Sequence, residues 1–292
     1  MIPLRHQRTV ARAASVEGFG YWSGEDCRVE FRPAAPGSGV TFVLAPANGA
    51  PPTRFPVGLS FREDRPRRTV MKNGDKRVEM IEHVMAALFG LEIDNCEVWV
   101  TAEEMPGCDG SAAAFVEALD MAGVVVQSTP TRPLVVTRAT RVGNEHKWIE
   151  AQPTNSNGLS IEFHLDYGPS NAIGRQSFAA EISPEQFRYE LAAARTFVLR
   201  EEADALVAMG KGTRVTPQDL LIFDADGPME NPLRYPDECV RHKVLDVVGD
   251  LALAGRPIVG HIVGYRSGHQ LNAELVEALL AHEQEVGQRK SA

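Results

Sequence analysis

The hexapeptide RHKVLD (241–246) sets His242 and Asp246 four positions apart, with Lys243 between them. On a helix that spacing stacks an imidazole and a carboxylate on one face, about 6 Å apart along the axis. Two such groups are an incomplete metal clamp, so a third ligand has to come from elsewhere in the chain. The segment MIEHVMAAL (80–88) carries His83 beside Glu82. His83, His242 and Asp246 make a three-ligand set with an open position, the arrangement of a catalytic zinc. Zinc would acidify a water molecule and polarise a carbonyl, and Glu82, next to a ligand, is suited to take the water's proton. An amide nitrogen also needs a proton as it departs, for which His269 in RSGHQLN is the candidate. Asp250 continues the His242–Asp246 ridge and would orient that imidazole and raise its pKa. Two histidines and one carboxylate also suit non-haem iron, which is the rival chemistry. A base and an acid beside the same ligands favour hydrolysis.

These residues have to be positioned by helices that meet. Across 238–254, Val240, Val244, Val247, Val248 and Leu251 form an apolar stripe, with His242, Asp246, Gly249 and Asp250 opposite. Taken alone, that polar side is a solvated helix face. An internal repeat changes the reading. VEFRPAAPGSGVTF (29–42) matches IEAQPTNSNGLSIE (149–162), and FVEAL (115–119) returns as LVEAL (275–279). Between those anchors each half reads helix, strand, helix. The first runs RVEMIEHVMAALFG, CEVWV, SAAAFVEALDMAG; the second runs ECVRHKVLDVVGDLALAG, PIVGHIVGY, NAELVEALLAHEQE. His83 falls where His242 falls in the other half, with Ile81, Val84, Met85 and Leu88 facing the core. Gly90 and Gly255 are the expected stops of the paired helices, and Ser111 and Asn272 the expected N-caps of the next ones.

The predicted fold is α+β: two similar domains, 1–126 and 130–292, each a small sheet packed with helices, the active site in the cleft between them. Each half carries an insert. One is Pro-rich, near 45–58; the other, near 198–223, holds the amphipathic REEADALVAMG and the short strand DLLIF. The apolar stripe of that insert reads as core packing, with a lipid-facing groove as the alternative.

Composition sets the class. Of 292 residues 43% are hydrophobic and 24% charged, and the net charge is −9. That balance is globular and argues against nucleic acid as a partner. No apolar run reaches the length of a membrane span, and the N-terminal stretch lacks the apolar core of a signal peptide. Four scattered cysteines without a C-x-x-C pair predict a reduced, cytoplasmic protein. Nothing points to an obligate protein partner. The basic run RPRRTVMKNGDKR (65–77) reads as a solvated hairpin turning at Asn73-Gly74, with peripheral contact to an acidic membrane surface as the alternative.

IEHVMAALFGLEIDN, EMPGCDGSAAAFV, ARTF, DECVRHKVLDVVGDLALAG and YRSGHQLN occur in this order. The ordered set resembles the UDP-3-O-acyl-N-acetylglucosamine deacetylases, zinc amidases of lipid A biosynthesis, over nearly the whole chain. The resemblance implies zinc on His83, His242 and Asp246, Glu82 as general base, His269 as general acid and Asp250 behind it. It also implies Thr196 and Lys243 beside the developing oxyanion, and Phe197 lining the sugar pocket. Tyr167 and Asp166 of LDYG would meet uridine, Arg266 and Lys243 the diphosphate, and the second insert would pass the acyl chain. The implied substrate is a UDP-linked acylated amino sugar that loses its N-acetyl group as acetate. Three positions depart from the family pattern: Trp22 stands for a histidine, Met80 for a threonine, and GKGTRVTPQDLLIF for a Gly-Gly turn. These departures leave room for a different N-acetylated sugar. A catalytically silent sugar-nucleotide binding protein would show a broken catalytic set, and this set is unbroken.

Overall fold

The computed structural model describes residues 5–45, 49 and 51–291. The first-half sheet is built from β1 (Ala14–Phe19), β2 (Asp26–Pro33), β3 (Val40–Leu44), β4 (Thr53–Pro56) and β5 (Cys96–Val100), in the order β1-β2-β5-β3-β4. The second contains β6 (Thr140–Gly143), β7 (Trp148–Gln152), β8 (Leu159–Asp166), β9 (Arg175–Ile182) and β10 (Ile258–Tyr265), in the order β6-β7-β10-β8-β9. The two orders correspond strand for strand. In each, the late central strand pairs in parallel with the third strand and antiparallel with the second. The duplication seen in short sequence matches is thus a duplication of topology. Alternation explains the buried faces: Cys27, Val29 and Phe31 of β2, and Leu159, Ile161, Phe163 and Leu165 of β8, point inward while their neighbours do not.

The helices of two turns or more are α1 (Glu82–Gly90), α2 (Ala113–Ala122), α3 (Arg200–Ala208), α4 (Glu238–Leu251) and α5 (His269–Ser291). α1 and α4, the paired helices of the repeat, pack directly on each other. Gly249 permits this, since a Cβ there would lie 2.1 Å from the carbonyl oxygen of Glu82. The face of α4 that reads as solvated is therefore buried: His242 is 2% exposed and Asp250 fully covered. Among the described residues no helix is long and apolar enough to cross a membrane.

Several local expectations are corrected. Residues 77–79 belong to the strand Lys76–Glu79, and Met80, at φ 56°, turns the chain before the helix starts at Glu82. Gly90 does not end α1 by a left-handed turn; it makes room for the Phe187 ring, which a Cβ would approach to 2.4 Å. Gly255 does adopt the left-handed form, φ 70°. Ser111 is not the N-cap of α2, which is Ala112; it stands one residue earlier and accepts from the Ala113 N–H. Asn272 is no cap: it lies inside α5, buried. The Pro-rich stretch 45–58 is partly outside the described residues (46–48 and 50), and its end, Thr53–Pro56, is the edge strand β4 rather than an excursion. A separate three-stranded sheet follows at Arg62–Glu63, Val70–Asn73 and Lys76–Glu79, with Gly74 at φ 63° in the expected hairpin turn. In the second insert, Phe197–Leu199 pairs in parallel with Leu221–Phe223 across α3, which contributes no buried residue.

Candidate active site

The α1–α4 contact brings the three sequence-predicted ligands together. One donor atom from each of His83, His242 and Asp246 lies within 4.8 Å of the others, and all three side chains are buried. Asp246 Oδ1 is 3.3 Å from His242 Nε2 and 3.8 Å from His83 Nε2. Donors at about 2.1 Å from a tetrahedral ion are separated by about 3.4 Å, so the group is close to the size a divalent metal needs.

Protonation fits as well. His242 Nδ1 lies 3.1 Å from the Ala194 carbonyl oxygen. A carbonyl only accepts, so that nitrogen carries the proton and Nε2 is left with its lone pair toward Asp246. Burial pushes both imidazoles toward neutrality, His83 to about 3 with help from the nearby His242. Burial works against the Asp246 charge, but Lys243, His242, His269 and His83 outweigh it and hold the carboxyl well below its usual range. Two neutral imidazoles and a carboxylate are the protonation states that metal ligation requires. Lys243 donates to Asp246 Oδ2 at 2.7 Å. Its ammonium therefore serves the ligand carboxylate first and reaches the cleft from beside it.

Glu82 and His269 share the cavity that these ligands line. Burial raises the Glu82 carboxyl to about 7 despite the opposing influence of His269. Burial disfavours the His269 cation, yet Asp250 by charge and hydrogen bond, then Glu82 and Asp246, raise it to about 9. His269 Nδ1 is 2.9 Å from Asp250 Oδ2. Asp250 lines neither cavity; it lies behind His269. A carboxyl poised near neutrality and an imidazole held protonated have the protonation states that a base and an acid require.

Sequence reasoning missed the supports of this set. Asn272 donates to Asp250 Oδ2 at 2.8 Å and accepts from Ser267. Thr69 donates its hydroxyl to Asp250 Oδ1 at 2.6 Å and its N–H to Glu82 at 2.9 Å. Arg195 of ARTF is buried in a two-pronged pair with Glu238, at 2.7 and 3.0 Å. That pair anchors the segment carrying Ala194, Thr196 and Phe197 to the start of α4. Asn272 and Arg195 lie inside the motifs YRSGHQLN and ARTF, and Thr69 lies in the basic run 65–77, but nothing in those strings states what they bond.

Two cavities meet at the centre. A polar cleft of about 1070 Å³ is lined by Asp166, Tyr167, Thr196, Phe197, Lys243, Arg266 and His269, among others. An apolar cavity of about 190 Å³ shares Thr196, Phe197, His242, Asp246 and His269 and continues past Trp22, Met80, Leu206 and Val207. The Phe197 ring stands 6.3 Å from His242 and 6.0 Å from Tyr167, centre to centre. Asp166 is held by Arg175, the Gly168 N–H and the Tyr265 hydroxyl. All twelve predicted residues thus converge, eleven on the cavities and Asp250 one layer behind. The basic hairpin is less available than its sequence suggests. Arg65, Lys72 and Arg77 pair with Glu63, Arg67 with Glu202, Arg68 with Glu79 and Lys76 with Glu103.

Residues 7–281 match the family model described as UDP-3-O-acyl N-acetylglycosamine deacetylase, LpxC. UDP-3-O-acyl-N-acetylglucosamine deacetylases of Brucella ovis, Brucella canis and Brucella suis are each 36% identical over 280 residues, covering 95% of this chain and 96% of the relative. A match of that extent, over a chain whose two halves share one topology and meet at a buried ligand triad, makes it a member of the LpxC family of UDP-3-O-acyl N-acetylglycosamine deacetylases.

Proposed function

We propose that the chain is a zinc-dependent amidase that removes the N-acetyl group of UDP-3-O-acyl-N-acetylglucosamine, releasing acetate, in lipid A biosynthesis. The observation that carries this reading is the buried His83, His242 and Asp246 group with Glu82 and His269 lining the same cavity. Zinc held by that group supplies Lewis acidity to a water molecule and to the amide carbonyl. Glu82 takes the water's proton, and His269 delivers a proton to the departing nitrogen. Lys243 and the Thr196 hydroxyl stand on the rim where negative charge develops. Phe197 bounds the sugar, Tyr167 and Asp166 meet the uracil end, and Arg266 draws the diphosphate. The acyl chain occupies the apolar cavity beside Met80 and Leu206. An iron oxygenase has no use for a paired base and acid, which favours hydrolysis. Four free thiols support a reducing compartment, the cytoplasm. The test is mass-spectrometric detection of acetate from UDP-3-O-acyl-N-acetylglucosamine with purified, zinc-loaded protein. Absence of acetate at every acyl length removes this substrate.

A further inference from the structure

Thr69 occupies a position that neither the triad nor the acid–base pair explains. It is 3% exposed and begins the segment leading into the strand Val70–Asn73, at the edge of the first half. Its backbone N–H donates to Glu82 Oε2 at 2.9 Å, and its hydroxyl donates to Asp250 Oδ1 at 2.6 Å. Its carbonyl accepts from the Ile81 N–H, which straps the residue to the start of α1. Asp250 belongs to α4 of the second half and its other oxygen holds His269 Nδ1. One residue of the first half therefore touches both carboxylates, Glu82 through its backbone N–H and Asp250 through its hydroxyl.

A buried carboxylate needs its lone pairs filled, and it turns toward whichever donors remain. Asp250 has three such partners: Thr69 on Oδ1, and His269 and Asn272 on Oδ2. The Thr69 hydroxyl is the one that fixes the rotation of the carboxylate from the far side. Without it Asp250 is free to swing about the axis set by Asn272, and the His269 ring follows. We infer that Thr69 is a positioning residue that sets the distance between the proton-accepting Glu82 and the proton-donating His269 across the interface of the two halves. The inference rests on the amidase reading above and adds a residue to it. A hydroxyl is required at position 69 because only a side chain can reach Asp250 while the backbone serves Glu82. Serine meets that requirement; valine, of nearly the same shape, does not.

The experiment compares Thr69→Val and Thr69→Ser in the zinc-loaded enzyme. Thr69→Val is expected to lower kcat by roughly 10–100-fold, the usual cost of losing an outer hydrogen-bond partner, with KM within about twofold of the parent. Thr69→Ser is expected to keep kcat within about threefold, since its hydroxyl donates in the same place. Proton NMR of the His269 Nδ1–H reads the positioning without any substrate: the valine variant should move that resonance and the serine variant should leave it. Equal loss of kcat in both variants, or a rise in KM with kcat intact, overturns the inference. So does an unmoved His269 resonance in Thr69→Val. If the valine variant does not fold, as judged by its thermal unfolding, Thr69→Ala repeats the comparison without either γ-methyl group. A parent enzyme that releases no acetate refutes the amidase reading alone, because the NMR comparison still decides whether Thr69 controls His269.

Discussion

α1 and α4 meet so closely that Gly249 has no room for a side chain, whereas α3, beside the same cavity, buries no residue. The helix pair carries the three candidate ligands and Glu82, and its polar atoms are tied by buried hydrogen bonds to Thr69, Ala194 and Asn272. Within the insert, α3 is tied to the first half by Arg67–Glu202, whose side chains are both more than 40% exposed, while the strand side is fixed by buried Leu221 and Phe223 and by the Tyr21 hydroxyl donating to the Asp219 carbonyl. Exposed pairs of this kind contribute about 0–1 kcal/mol each. Chemistry that depends on sub-ångström placement is therefore built where nothing can shift. The α3 wall, which under the proposed function meets the acyl chain, buries no side chain and is held by an exposed pair.

The largest expected effect breaks the rigid side of that contrast. His83→Ala, His242→Ala and Asp246→Ala should each lose most bound metal on purification, measured by elemental analysis, and most activity with it. Asp246→Ala also strands the Lys243 ammonium, and breaking one side of a buried pair costs roughly 3–5 kcal/mol, readable by thermal unfolding. Wild-type metal content in two of the three variants would dissolve the triad.

Next come the proton carriers. Glu82→Gln and His269→Ala should retain metal and lower turnover by roughly 10²–10⁴-fold. In the proposed mechanism Glu82 acts when deprotonated and His269 when protonated, so kcat/KM should rise through the first ionisation, near 7, and fall through the second, near 9. A bound divalent cation moves both limbs to lower pH. The rising limb should vanish in Glu82→Gln and the falling limb in His269→Ala. Because the two groups interact, the limbs belong to the pair, and each variant should also shift the limb it keeps. A full bell in either variant removes that residue from its role.

Gly249→Ala sharpens the contrast without touching a functional group. Its methyl would press on the Glu82 carbonyl, and overpacking of this kind costs about 1–3 kcal/mol. Stability and metal affinity should fall together if the helix contact sets the ligand spacing. A stability loss with unchanged metal affinity would show that the triad tolerates helix separation.

The smallest expected effect lies in the insert. Gly210 and Gly212 both adopt left-handed backbone, φ 73° and 64°, around Lys211. Lys211 and Gly212 line the apolar cavity. Replacing residues 210–218 by a Gly-Gly turn should shift the acyl-length optimum while kcat on the preferred chain changes little. Each methylene gained or lost in the cavity is worth about 0.8 kcal/mol, or about fourfold in kcat/KM. Superimposable profiles across an acyl series would separate the insert from chain selection.

Much of this protein was legible as pattern. The strand-turn-strand match of 29–42 with 149–162 and the paired motifs around His83 and His242 depend only on local spacing, and the repeat relates one half to the other. Those features suffice for an α+β duplication and for proposing three ligands with Glu82 beside them; His269 and Asp250 gain weight from the resemblance to the deacetylase family. Burial was not legible, because a helix face with His242, Asp246 and Asp250 looks solvated until α1 covers it, and a sequence does not state which polar faces meet. The same limit hid Thr69, Asn272 and Arg195. A threonine before a hairpin reads as a strand residue and an asparagine near a helix start reads as a cap; only the tertiary structure makes them donors to buried carboxylates. Gly90 and Gly249 show the physical reason. Each looks like a conformational choice of the local backbone, and each is decided by an atom from another element of the fold, Phe187 in one case and the Glu82 carbonyl in the other.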